Sequence, residues 1–213
     1  MAARRRRTPI EPLALSFDYP HGRADILVAR LDEPVRDLSP ARAALARRLV
    51  ARRVNCAEAD VVIAHDAQGA PLVAPPRGGL RLSTAGRDAI VAAAVAGHAV
   101  GVDIETIAAP FAAPLNVLHP AERAALAAAG ERAHEFFLRI WTAKEAYVKA
   151  LGTGLAREPS EIEIRQDYAA AFDGPAEIGV FDCGRAVATL RARAGRVSYG
   201  QDAVMLACVV LPF

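Results

Sequence analysis

Between residues 61 and 105 the chain is cut into short apolar runs by turn signals at Asp66 to Gly69, Gly86 to Asp88 and Gly97. Runs of this length bounded by Gly and Asp read as strands, over 61–64, 80–83, 89–96 and 99–104. This stretch therefore commits the chain to a sheet. Ahead of it, residues 24–31 form a candidate first strand, and Ser39-Pro40 supplies an N-cap and a first-turn proline. Ala41, Ala44, Leu45 and Leu49 then carry a helical stripe to residue 54. After it, a helix starts at His119-Pro120 and stops at Gly130, and a longer one runs over 131–151 until Gly152 and Gly154 end it. Further strands are predicted over 161–165, 177–182, 186–191 and 203–211, so each half reads as helix plus strands, with a Pro- and Ala-rich break over 106–118. The fold class is α+β, with an N-terminal subdomain over 23–105, a C-terminal one over 106–213, and a loosely ordered basic arm over 1–22 that carries Arg4 to Arg7.

At 213 residues such a chain buries roughly 70% of its unfolded surface, so it needs no disulfide or structural metal. Cys56, Cys183 and Cys208 are odd in number and widely spaced, which argues against a disulfide framework or a zinc site and suits a reducing cytosol. The longest apolar run, residues 89–97, is about half a membrane span. These features predict a cytoplasmic protein with no membrane partner. A net charge of +2 is too small for a nucleic-acid coat. Arg42, Arg47, Arg48, Arg52 and Arg53 do gather on the 39–54 helix. A solvated helix face is the ordinary reading of that charge; a phosphate-facing surface is the sharper one, and the absence of interleaved aromatics counts against RNA or DNA.

Two places carry candidate chemistry. In the string Val100-Gly101-Val102-Asp103-Ile104-Glu105, residues two apart on a strand share a face, so Asp103 and Glu105 project together while Val102 and Ile104 face the core. Two carboxylates held that close repel unless a cation or a shared proton intervenes; solvated edge charges are the ordinary alternative. In the long helix, Glu145 and Lys149 form an i, i+4 pair, whose ordinary reading is an exposed ion pair. The sharper reading joins Glu145 to Asp103 and Glu105 in an all-oxygen site suited to Mg²⁺, with the lysine ready for phosphate. The chain has 24 arginines and only two lysines, Lys144 and Lys149, so a compact ammonium is a candidate requirement of this segment.

Gly101-Val102-Asp103-Ile104-Glu105, followed by Trp141-Thr142-Ala143-Lys144-Glu145-Ala146-Tyr147-Val148-Lys149-Ala150-Leu151-Gly152-Thr153-Gly154-Leu155, resembles the paired signature of the 4′-phosphopantetheinyl transferases of the surfactin-synthetase-activator type. Both strings match without a gap, and the length fits a family monomer of two similar halves. The resemblance implies pseudo-symmetric subdomains, each a small, mostly antiparallel sheet with helices, and an active site at their interface. It implies Mg²⁺-dependent transfer of 4′-phosphopantetheine from coenzyme A, the co-substrate, to a serine hydroxyl of an acyl, peptidyl or aryl carrier protein, releasing adenosine 3′,5′-bisphosphate. Carried onto matching positions, Asp103, Glu105 and Glu145 would hold the metal. Glu145 would take the serine proton, directly or through water, and Lys149 would stabilise or protonate the leaving phosphate. The division of labour at Glu145 stays open.

Coenzyme A contacts implied by the same resemblance are Arg42, Ser83, Thr84 and Lys149. The family's Ser-His pair stands here as Ser83-Thr84, and its Gly-Lys-Pro turn as Gly69-Ala70-Pro71, so two phosphate-binding groups are replaced. Arg77, Arg81 and Arg87 are candidate substitutes. These departures motivate a second function class, a catalytically weak or inactive relative that binds coenzyme A or a carrier protein. His98 and His119 read as a turn residue and a helix-start residue.

Overall fold

The structure is a computed structural model and describes residues 11–19, 21–76, 79–107, 113–153, 157–165, 176–182, 185–199 and 202–211. Arg4 to Arg7, Arg77, Cys183, Gly154 and Leu155 lie outside the described residues.

The chain builds two antiparallel sheets. The first contains β1 (Leu13–Tyr19), β2 (Gly22–Arg30), β3 (Ile63–His65), β4 (Pro71–Val73), β5 (Arg81–Arg87) and β6 (Ile90–Ala96), in the order β1-β2-β6-β5-β4-β3. The second contains β7 (Ala99–Thr106), β8 (Ile162–Arg165), β9 (Ala176–Asp182), β10 (Arg185–Tyr199) and β11 (Asp202–Leu211), in the order β7-β11-β10-β9-β8. Helix α1 (Ser39–Val54) links β2 to β3, while α2 (Pro120–Ala128) and α3 (Ala133–Leu151) link β7 to β8. From β2 onward the two sheets thus share one plan: a strand, helical connection to the far edge, then a meander back to that first strand.

Alternation along β6 and β11 explains the layering. Val91, Ala93 and Val95 pack under Leu45, Leu49 and Val50 of α1, whereas Ile90, Ala92, Ala94 and Ala96 face the second sheet. There they meet Val100, Val102 and Ile104 of β7 and Val204, Leu206, Cys208 and Val210 of β11. The opposite face of β11, Met205, Ala207, Val209 and Leu211, packs on α3 through Phe137, Ile140 and Ala146. The result is four layers, helix on sheet on sheet on helix. Both faces of β6 are covered, which is why its sequence is apolar throughout. Among the described residues no helix is long and apolar enough to cross a membrane.

Three expectations are corrected. Residues 13–19, expected in a loose arm, form edge strand β1, with Phe17 and Tyr19 buried against the second sheet's side of the core. β7, expected in the N-terminal subdomain, is hydrogen-bonded to β11 in the second sheet, with Ile104 opposite Leu206. Gly97 and His98 therefore do not close a hairpin; they carry the chain from one sheet to the other. Finally, the α1 cap position is Leu38 rather than Ser39, and the Asp37 carboxylate accepts from the Ser39 N–H at 2.9 Å.

Candidate active site

Gly101 sets the geometry of the site. A Cβ built there would lie 1.8 Å from the Ala146 carbonyl oxygen and 2.6 Å from the Ala150 nitrogen, so α3 rests directly on the β7 backbone. Only glycine permits that approach. With Val100, Val102 and Ile104 turned to the inter-sheet core, Asp103 and Glu105 emerge beside α3. The Lys149 ammonium reaches down from the helix and donates to Asp103 Oδ1 at 2.6 Å and to the Val102 carbonyl at 3.3 Å. Glu105 pairs with Arg87 of β5 at 3.2 Å. One site is thus assembled from both sheets and one helix.

Its electrostatics are those of crowded anions. Asp103 is 7% exposed, and its Oδ2 is buried without a hydrogen-bond partner. Burial raises the Asp103 pKa above the usual carboxylate range, although Lys149 pulls the other way. Burial likewise raises Glu105, opposed by Arg87 and reinforced by the charges of Asp103 and Asp88. Glu145 is raised first by burial and then by Asp103, with Lys149 opposing. The three carboxylates share one field. Among the described residues, however, no three His, Cys, Asp or Glu side chains are gathered into a closed cation cluster. Lys149 and Arg87 supply the positive charge instead.

The expected coenzyme A contacts divide between two places. Arg42, Thr84 and the Gly69–Pro71 turn line one cleft of about 310 Å³ beside Ser39 and His65. Alternation along β5 turns Ser83 the other way: it is buried, and its hydroxyl accepts from the Val102 N–H at 3.0 Å. Of the candidate substitutes, Arg87 is committed to Glu105. His65 was not anticipated. It follows from the hairpin register that sets His65 opposite Pro71, which brings an imidazole beside the Gly69–Pro71 turn. A second cleft, about 290 Å³, adjoins Glu105 and Arg87 and has Phe137, Leu138 and Trp141 on its apolar side. A third, about 360 Å³, lies between β1, β2 and α1, remote from the carboxylates, and its Arg23 and Arg53 both pair with Asp25.

The two lysines have different tasks. Lys144 is fully buried, and its ammonium meets Glu122 at 2.6 Å, the Pro159 carbonyl at 2.8 Å and the Val117 carbonyl at 2.9 Å. Three acceptors around one compact cation suit lysine and not the planar fork of arginine. Glu122 also accepts from the N–H groups of His119 and Ile164, tying α2, α3 and β8 together. His119 caps α2, and His98 bonds the Tyr19 hydroxyl at 3.1 Å, so neither enters the site.

A comparison with known families falls on the same region. Residues 99–176, which begin with β7 and take in α2, α3 and β8, match the family model described as the 4′-phosphopantetheinyl transferase superfamily. The matched segment contains Asp103, Glu105, Glu145 and Lys149, while Arg42, His65, Ser83 and Thr84 lie outside it. Among solved structures, the holo-[acyl-carrier-protein] synthase of Thermotoga maritima aligns at 22% identity and a TM-score of 0.36, over 53% of this chain and 62% of that one. The alignment thus spans about three fifths of that protein's length. No curated protein matches this chain significantly.

Proposed function

We propose that the protein transfers the 4′-phosphopantetheine arm of coenzyme A to a serine hydroxyl of an acyl, peptidyl or aryl carrier protein, releasing adenosine 3′,5′-bisphosphate. One observation carries the reading: Lys149 of α3 pairs with Asp103 of β7, whose charge is also felt by Glu105 and Glu145, inside the segment that matches the superfamily model.

The donor chemistry of the three carboxylates, rather than a closed cluster, suits a divalent cation. Asp103 Oδ2 is a buried anionic oxygen without a hydrogen-bond partner, and burial of all three carboxylates, with the charge of Asp103 acting on Glu105 and Glu145, makes them favour a cation. Hard oxygen donors suit Mg²⁺, and Asp103, Glu105 and Glu145 would hold it. When bound, the ion would offset the charge of the pyrophosphate.

The chain's own groups do the rest. Glu145 accepts the proton of the attacking serine, directly or through water. Lys149, a third exposed at its side chain, is anchored by Asp103 and can donate to the phosphate that departs. Arg42, His65 and Thr84 bind the phosphate-rich end of coenzyme A in their common cleft. The repeated strand order of the two sheets supports two similar halves, meeting between His98 and Ala99, with the site at their junction. The protein acts as a cytoplasmic monomer; the free thiols of Cys56 and Cys208 accord with that setting.

Incubation with coenzyme A, Mg²⁺ and a panel of apo carrier proteins, followed by intact mass measurement, tests the reading. The expected result is a carrier heavier by the arm, and loss of that product with Asp103→Asn or excess chelator. Tight coenzyme A binding with no modified carrier across the panel would favour the second reading, a relative that binds without turnover. That reading is motivated by Lys149 and Arg87 already neutralising two of the carboxylates.

A further inference from the structure

Ser83 and Thr84 are neighbours on β5, yet they face opposite sides of the first sheet, and only Thr84 lines the cleft with Arg42. Ser83 instead faces the second sheet, 5% exposed. Its partner there is an edge. β7 is the terminal strand of its sheet, hydrogen-bonded only to β11, so every second residue presents an N–H and a C=O away from the ladder. Val102 is such a residue. The Ser83 hydroxyl satisfies its N–H at 3.0 Å, and the Lys149 ammonium satisfies its C=O at 3.3 Å. That same ammonium holds Asp103, the next residue, at 2.6 Å. Ser83, Val102, Asp103 and Lys149 therefore form one chain of contacts, with Ser83 at the end remote from solvent.

We propose that Ser83 is a positioning residue that fixes the Val102–Asp103 segment of β7 under α3, and that it does not contact coenzyme A. The inference rests on the transfer function proposed above, and its geometry is read from the contacts of Ser83, Val102, Asp103 and Lys149. Without the hydroxyl, the Val102 N–H is buried and unpartnered, and the edge relaxes by turning that peptide towards another acceptor. Such a turn moves the Val102 carbonyl and the Asp103 side chain off Lys149. Misplacement on that scale acts on turnover, since groups aligned for reaction lose rate steeply when displaced. Substrate affinity is set elsewhere, by the cleft on the other face of β5.

The neighbouring residues thus have opposite kinetic signatures. Ser83→Ala is expected to lower kcat roughly 10- to 100-fold while the KM for coenzyme A stays within about twofold. Thr84→Ala is expected to raise that KM and leave the larger share of kcat. In parallel, amide hydrogen exchange on the full chain reads the strut directly. Ser83→Ala should lose about tenfold protection at Val102, with the β6 amides of Val91 and Val95 unchanged, whereas Thr84→Ala should leave Val102 protected. A general loss of stability would lower all of these amides together and would overturn the proposal. So would a Ser83→Ala enzyme with normal kcat and a raised KM, which would make Ser83 a coenzyme A contact. If the wild-type protein transfers nothing to any carrier, the proposed function fails, and Val102 exchange still decides the strut.

Discussion

Replacing Lys144 by methionine tests the account of the buried ion pair. Methionine fills a similar volume and is flexible enough to leave little cavity, so the charge is the main thing removed. What remains is severe: the Glu122 carboxylate, fully buried, keeps only the N–H groups of His119 and Ile164, and the carbonyls of Val117 and Pro159 lose their donor. Breaking a buried pair from one side costs about 3–5 kcal/mol. For a chain of this size that is a fall in melting temperature of roughly 6–20 °C. Trp141, the single tryptophan, sits on α3 three residues away and reports the transition by fluorescence in urea. The double variant Lys144→Met/Glu122→Gln should recover part of the loss, because no unpaired charge is then buried. A loss under about 1 kcal/mol for Lys144→Met, or strict additivity in the double variant, would refute the reasoning and return Lys144 to the role of an ordinary ion pair.

Gly101→Ala should push α3 off β7, since its Cβ would collide with the Ala146 carbonyl at 1.8 Å; we expect at least about 1–3 kcal/mol of destabilisation in urea melts, and an unchanged midpoint would contradict the contact. Lys149→Arg should keep the fold and most coenzyme A binding but lose roughly 10²- to 10⁴-fold in single-turnover transfer; near-normal transfer would leave only a charge requirement. Asp103, Glu105 and Glu145 have folded-state pKa values above their unfolded ones. Their contribution to stability is complete below the ordinary carboxylate range of about 4 and is lost as pH rises through the raised values. The metal-free melting temperature should therefore fall across that window, and saturating Mg²⁺ should flatten the fall. Identical profiles with and without Mg²⁺, read by calorimetry, would remove the carboxylates from metal binding.

Local order was largely legible in the residues. Pro40 and the apolar stripe located α1, Gly152 ended α3 with a φ of 69°, and the alternation of Val102, Asp103, Ile104 and Glu105 told which side chains leave the core. β1 was legible too, because Leu13, Leu15, Phe17 and Tyr19 alternate; the basic residues ahead of it drew the segment into an expected arm. These are effects of period, cap and backbone freedom, which act over a few neighbouring positions.

Partnership was decided by the tertiary structure. Alternation assigns a face to β7 but not the sheet that receives it, and the apolar runs of β6 and β7 would satisfy a hairpin as well as two facing sheets. The same limit separates Ser83 from Thr84, whose order in the chain suggests one shared ligand and whose opposite faces give them different neighbours. It also separates the two lysines. Sequence alone set Lys144 and Lys149 apart from the arginines, but only packing brought Glu122 and two carbonyls to the first and Asp103 to the second. A side chain's direction follows from its own backbone, whereas the group it meets is fixed by segments tens of residues away, whose approach depends on how all the layers pack at once.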